Sequence, residues 1–169
     1  RTLLGTQFME MATGALFVAT GPTKVGGFFV FAALGFVGLY LIFRAWRRAM
    51  PEADPRRLAA FGFLLPSMAF WPSSIGKESV MVLGIGLVAN GASRQWTGGR
   101  GGLALLASGL GVTALVRPHI TMLLVAALLA TAMVTRWDAM VSGDPLRKVM
   151  SIGVLVAVLL ASVAVANSF

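Results

Sequence analysis

A short polar turn in the stretch 65–78 carries side chains that suit the binding of a phosphate group. Two prolines in this stretch interrupt helical hydrogen bonding, so nearby backbone groups are free to meet a ligand or water. We expect a helix to restart after Ser73 or Ser74, with one of these serines as its N-cap. The positive start of that helix, with Lys77 beside it, predicts a site for phosphate or pyrophosphate.

A second polar turn, Arg117-Pro-His119, adds a permanent cation and a group that exchanges protons near neutral pH. Ionisable groups at membrane depth are costly and are kept mainly for pathways, pairs or sites. Together, Lys77, Arg117 and His119 would form a cationic pocket with Glu78 as its nearby acid. The alternative is that these side chains lie at headgroup level, with Arg117 reaching lipid phosphates.

Two weaker features accompany these turns. Glu10 either lines the same cavity or rests near a membrane interface. Four glycines lie inside predicted helices and suit close packing between membrane helices. They are Gly84, Gly86, Gly109 and Gly111.

The composition indicates a membrane protein. Of 169 residues, 57% are hydrophobic and 12% are charged, against roughly 25% charged in a soluble domain. The net charge of +8 comes from basic residues that separate apolar runs, as the positive-inside rule produces, and we therefore expect no nucleic-acid partner. With no cysteine and one histidine, disulfides and multi-histidine or thiolate metal sites are excluded, and we predict no metal or cofactor.

Apolar runs, separated by charge, glycine and proline, predict an all-α fold: a polytopic integral membrane bundle of about seven segments, some of them short or re-entrant. Crossing a bilayer takes about 20 helical residues, so only the second and last runs fit comfortably. The four middle runs form two pairs, 58–93 and 102–135, which either cross or dip in and return. The segments are 3–20, 26–43, 58–71, 79–93, 102–116, 120–135 and 149–168.

Residues 1–169 are predicted to form a single transmembrane domain. Because the chain begins at Arg1, we expect it to be a piece of a longer membrane protein. If the basic run 44–57 faces the cytoplasm and meets anionic lipid, eleven of the fourteen basic residues lie inside. Lys24, Lys77 and Arg117 then lie outside, and the two polar turns share one side and depth.

The motif Leu65-Pro-Ser-x-x-Phe-Trp-x-Ser-Ser-Ile-Gly-Lys-Glu78, followed by a glycine-rich helix and Arg117-Pro-His119, resembles bacterial membrane proteins from polysaccharide loci. These are similar to the EpsG/Wzy-like oligosaccharide polymerases and, more distantly, to GT-C-type glycosyltransferases that use polyprenyl-phosphate sugars. The resemblance covers 58–135 well and the first two segments loosely. It implies a multi-pass protein of the bacterial inner (plasma) membrane, in polysaccharide biosynthesis at the cell envelope.

That resemblance implies an extracytoplasmic-facing enzyme whose substrate is a sugar on a polyprenyl phosphate or diphosphate. Lys77 and Arg117 would bind the lipid-linked phosphate, with Ser73 and Ser74 also in contact with substrate. Glu78 or His119 would move the proton of the acceptor hydroxyl. The acidic pair that GT-C enzymes usually carry in their first external loop is missing here.

Two other function classes stay open. One is a non-catalytic membrane subunit of a larger complex, whose cationic turns bind lipid headgroups or a partner. The other is a transporter segment with its site at the midplane between broken helices. In all three cases the expected partners are membrane lipid and other membrane subunits, and in the first case a polyprenyl-linked sugar as well.

Overall fold

The computed structural model describes residues 5–21, 23–70, 74 and 76–135. Every regular element among them is an α-helix, which confirms the predicted all-α class for this part of the chain. The predicted segment 149–168 lies outside the described residues. The helices are α1 (Thr6–Thr20), α2 (Lys24–Ala49), α3 (Pro55–Phe63), α4 (Pro66–Phe70), α5 (Lys77–Trp96), α6 (Gly102–Val116) and α7 (Pro118–Thr135).

The chain divides into two compact units, Arg1–Arg117 and Pro118–Phe169. The first unit contains α1 to α6. In the second unit the structure describes α7, which begins at Pro118, two residues before the predicted segment 120–135. Proline is favoured in the first turn of a helix because the N–H that it lacks has no partner there.

Helix α2 continues past its predicted end at residue 43 and includes the first basic residues of the run 44–57. The prediction was wrong because charged side chains do not end a helix. Arg47 and Arg48 lie in the last turn, where positive charge complements the helix dipole. The helix ends at Ala49, just before Pro51, which cannot continue it.

The predicted segment 58–71 is two helices. Asp54 caps α3 by accepting a hydrogen bond from the Arg56 amide at 2.9 Å, so this helix begins earlier than expected. It ends at Phe63, and α4 begins at Pro66. The interruption follows from this proline, which donates no backbone hydrogen bond and restricts the residue before it.

Helix α5 does not begin with a serine cap, which corrects the prediction for Ser73 and Ser74. Its N-cap is Gly76, and no side chain caps it. The Ser74 carbonyl instead accepts a hydrogen bond from Ser79 Oγ at 2.8 Å, and Ser73 lies outside the described residues. The helix runs to Trp96, past the predicted end at 93.

Helices α2 and α5 pack together in parallel, and α5 makes its most extensive contacts with α2 and α6. A Cβ added to Gly38 of α2 would meet backbone atoms of Val82 and Leu83 at 2.6 Å, and one added to Gly86 would meet the Gly38 carbonyl. Further along both helices, Arg48 reaches Asn90. The predicted pairing of 58–71 with 79–93 as a hairpin is therefore not the main packing of α5.

Helices α5 and α6 pack in antiparallel orientation, again through glycines. A Cβ on Gly109 would meet Val88 N at 2.6 Å and Gly84 O at 2.7 Å. Towards the other end, a Cβ on Gly91 would meet the Gly102 carbonyl at 2.7 Å. Three of the four glycines predicted to serve close packing do so, whereas the space beside Gly111 is open.

Helix α1 does not cross the bundle as segment 3–20 was predicted to do. The Gly5 amide donates to the Leu115 carbonyl at 2.8 Å, so α1 begins where α6 ends and α5 begins. Helix α2 starts at that same end because it is parallel to α5. Only residues 21–23 join α1 to α2, and so short a link spans roughly 10 Å. Both ends of α1 therefore lie towards one end of the first unit.

By length and composition, α2 is the one described helix that is long and apolar enough to cross a membrane. Only 28% of its apolar stretch is buried, so most of it faces outward. Large apolar side chains are also exposed on neighbouring helices, for example Val18 (88%) and Leu103 (67%). The apolar stretches Gly102–Val116 and Pro118–Ala132 are shorter, and the predicted crossing by seven segments is not confirmed.

The glycine contacts give a stability prediction. Gly109→Ala should destabilise the protein by about 1–3 kcal/mol, because the new methyl group meets backbone atoms that cannot move aside. The matched control Gly111→Ala, in the same helix, should be neutral or stabilising by up to about 1 kcal/mol, since its Cβ enters open space. Thermal unfolding in detergent, followed by circular dichroism, measures both. Equal effects of the two substitutions would contradict the packing.

Candidate functional site

The polar residues predicted to form a site gather at one end of the first unit, which we call the groove end. It consists of the start of α1, the start of α5 and the end of α6. Lys77 and Glu78 occupy the first turn of α5, and Arg117 directly follows α6. The antiparallel packing of α5 and α6 brings these residues together, because the start of one helix lies beside the end of the other.

Glu78 and Arg117 form an ion pair, with Arg117 Nη2 at 2.6 Å from Glu78 Oε1. These residues of the two predicted turns therefore lie together at one end of the first unit. Glu78 lies at the positive start of α5 and Arg117 at the negative end of α6, so each charge also suits its helix. The side chains are 39% and 38% exposed, so water weakens their attraction.

This pair changes the chemistry expected of both residues. Arg117 was predicted to hold a phosphate, but Glu78 already neutralises its charge. Glu78 was predicted to accept a proton, and in the structure its carboxylate accepts a hydrogen bond from Arg117. The pair instead fixes the start of α5 against the end of α6 and thereby positions Lys77.

An open groove of about 490 Å³ lies beside the ion pair. The residues of α1 that line this groove recur every three or four positions, so they belong to one face of the helix. Glu10 lines this groove with Lys77, whereas Arg117, which was predicted for the same pocket, is not among the lining residues. The lining residues are Thr6, Met9, Glu10, Thr13, Gly14, Phe17, Gly76 and Lys77.

Lys77 is the cation of this groove. Its Nζ donates to Thr6 Oγ1 at 2.7 Å, which holds the ammonium group at the junction of α1 and α5. Gly76, the N-cap of α5, lines the groove too, so the positive start of the helix opens into it. An ammonium group beside a helix start can bind an anion, and the Glu10 carboxylate can exchange a proton with a bound hydroxyl.

The structure describes two further predicted site residues. Ser74 is half-buried, with its carbonyl bonded to Ser79, and Ser73 is outside the described residues. His119 is half-buried in the first turn of α7, in the second unit. Among the described residues, no group of three or more His, Cys, Asp or Glu side chains lies close enough together to hold a metal ion.

Thr6 and Thr13 also line the groove, and neither was predicted to contribute to a site. The signal was present, because Thr6, Glu10 and Thr13 recur at helical spacing and so share one face of α1. What the sequence did not show is the contact of this face with Lys77, a residue 71 positions from Thr6.

No family model, no curated protein and no solved structure matches this chain. The resemblance to polysaccharide polymerases therefore stays a hypothesis that rests on the residues of the two turns. The function of the groove is inferred from its own side chains.

The ion pair predicts a charge-swap result. Glu78→Arg and Arg117→Glu should each destabilise the protein, because each places like charges next to each other. The double variant should recover about 0.5–1 kcal/mol through the restored pair. Recovery stays incomplete, since both charges then oppose their helix dipoles. Thermal unfolding of the four proteins gives the coupling, and additive effects would show that the pair does not form.

Proposed function

We propose that this protein is a multi-pass protein of the bacterial inner membrane that transfers sugars from polyprenyl phosphate or diphosphate carriers. In this proposal the groove end faces the extracytoplasmic side, and the product is a glycoside or a growing polysaccharide. The observation that carries the proposal is the groove itself, where Lys77, the start of α5 and Glu10 meet beside apolar side chains.

The distribution of basic residues supports a membrane-crossing orientation. Arg48 and Arg94 approach one another at the end of the first unit opposite the groove, where the run 44–57 also begins. Lys24 and Lys77 lie at the starts of the parallel helices α2 and α5. Arginines concentrated at one end, with outward-facing apolar surface on α2, are typical of a protein that obeys the positive-inside rule.

The proposed reaction uses a cation and a carboxylate. The Glu10 carboxylate accepts the proton of the acceptor hydroxyl, whose oxygen attacks the anomeric carbon of the carried sugar. The bond from that carbon to the phosphate oxygen breaks, and the polyprenyl phosphate or diphosphate leaves with the electron pair. Lys77 and the start of α5 stabilise the negative charge that develops on the leaving group.

The apolar part of the groove suits the isoprenoid chain. Met9, Gly14 and Phe17 line it together with the polar residues. A substrate with a charged head and an apolar tail would place its phosphate at Lys77 and its first isoprene units along α1. This division of polar and apolar wall favours a lipid-linked sugar over a soluble one.

The remaining predicted residues have secondary roles in the proposal. Glu78 and Arg117 hold the start of α5 and so orient Lys77. His119 remains a candidate for proton transfer, and Ser73 and Ser74 remain candidates for substrate contact.

A second candidate is a non-catalytic membrane subunit of a larger complex. The mutual neutralisation of Glu78 and Arg117 favours it, because such a pair fits a structural anchor at headgroup level. Apolar side chains that point outward, such as Phe29 (77% exposed), would then contact a partner as well as lipid. In this case the groove binds a lipid headgroup without turnover.

The proposal predicts that Lys77→Met lowers incorporation of lipid-linked sugar into product by at least about 100-fold, through loss of leaving-group stabilisation. Glu10→Gln, which keeps shape and removes the base, should lower it by about 100-fold or more. Reconstituted vesicles with radiolabelled polyprenyl-linked sugar measure both.

Lys24→Met is the matched control. It removes an exposed lysine from the start of α2, outside the groove, and should change incorporation by less than about twofold. Unchanged product yield with both Lys77→Met and Glu10→Gln would overturn the enzymatic proposal. Stoichiometric copurification with another membrane protein, and never with a polyprenyl lipid, would support the subunit alternative.

A further inference from the structure

A second polar cluster lies at the other end of the first unit, where α2 ends. Arg44, Arg47 and Arg48 line a pocket of about 430 Å³ together with Tyr40 and Phe43. The Arg44 guanidinium lies over the Tyr40 ring, 5.9 Å from its centroid, which fixes the direction of this side chain. Three arginines in one pocket concentrate positive charge where the apolar part of α2 has just ended.

Arg48 of this cluster shares a neutral acceptor with Arg94 of α5. Arg48 Nη1 donates to Asn90 Oδ1 at 2.7 Å and to Ser93 Oγ at 3.2 Å. Arg94 Nε donates to the same Asn90 oxygen at 3.2 Å. Two like charges that converge on one uncharged oxygen repel each other, and a bound anion would lower this repulsion.

The carboxylates that form ion pairs in the described residues lie elsewhere. Glu78 pairs with Arg117 at the groove end, and Asp54 lies near Arg57 at the start of α3. Neither ion pair involves the arginines of the pocket. Among the ion pairs of the described residues, none supplies a carboxylate to the arginines of the pocket.

Asn90 anchors Arg48 from inside the first unit. Its side chain is fully buried, and its Nδ2 has no hydrogen-bond partner. The two arginines fix the amide with its oxygen towards them, so the nitrogen is left as a buried donor.

Phosphate is the anion that best fits these groups. The planar guanidinium forks of arginine bind phosphate oxygens in pairs. The pocket lies at the end of the one described helix that is long enough to cross a membrane, and if α2 crosses, this end reaches the lipid headgroups. Tyr40 and Phe43 add aromatic wall of the kind that favours the membrane interface.

We propose that the pocket of Arg44, Arg47 and Arg48 binds the phosphate of an anionic phospholipid. Arg44 and Arg47 contact the phosphate from two sides. Arg48, which is held by Asn90 and Ser93, contacts it from a third. This lipid site lies at the end of the first unit opposite the groove and does not depend on the glycosyl-transfer activity.

The test is a lipid titration of the full chain in neutral detergent, followed by native mass spectrometry. Phosphatidylglycerol should bind at least about tenfold more tightly than phosphatidylcholine. The double variant Arg44→Gln/Arg47→Gln should abolish this preference by weakening phosphatidylglycerol binding at least about tenfold. The matched control Arg56→Gln/Arg57→Gln removes the same charge from exposed positions on α3 and should change binding less than about threefold.

Asn90→Asp provides a test within the buried network. The new carboxylate gives Arg48 and Arg94 an internal counter-ion and removes the unpartnered donor, so phosphatidylglycerol binding should weaken about fivefold or more. Thermal stability should not fall, which separates lost binding from lost folding.

Three outcomes would overturn the proposal. The first is unchanged binding in the Arg44→Gln/Arg47→Gln variant, and the second is an equal loss in the Arg56→Gln/Arg57→Gln control. The third is competition by soluble glycerol phosphate as effective as that of the lipid, which would assign the pocket to a free phosphate ester.

Discussion

Helix α5 meets α2 and α6 at glycines, and the rest of the first unit depends on these contacts. A larger side chain at these positions would hold the helices apart. Gly38 and Gly86 let α2 and α5 approach until their backbones touch, and Gly84 and Gly109 do the same for α5 and α6. Such contacts gain their energy from close backbone packing and do not require burial of large apolar side chains. The large apolar side chains are thus left free to face outward, as Phe29 does.

This packing also decides which polar residues meet. Because α5 runs parallel to α2 and antiparallel to α6, its start brings Glu78 to Arg117, and its last turns bring Asn90 to Arg48. One end of the helix therefore holds a nearly neutral pair beside a groove, and the other holds arginines that form no ion pair with a carboxylate of the described residues. We have proposed a different ligand for each end, a lipid-linked sugar at the groove and an anionic headgroup at the arginines.

The sequence predicted those features that depend on local pattern. The bounds of 102–116 were correct because glycines precede this apolar run and Arg117-Pro118 ends it. The predicted end of α2 was wrong because the charged run 44–57 was interpreted as a loop, whereas arginine is a good helix former. The contacts of Thr6 with Lys77 and of Arg48 with Asn90 join positions far apart in the chain, and no periodicity in one sequence reports such pairs.

Labelling of single cysteines in sealed, oriented vesicles tests the central claim most directly, that the ends of the first unit lie on opposite sides of a membrane. The chain has no cysteine of its own, so Lys24→Cys and Arg100→Cys each give one reactive position, at the start of α2 and in the turn between α5 and α6. A membrane-impermeant maleimide should label Lys24→Cys from the extracytoplasmic side only and Arg100→Cys from the cytoplasmic side only. Labelling of both variants from the same side would contradict the account.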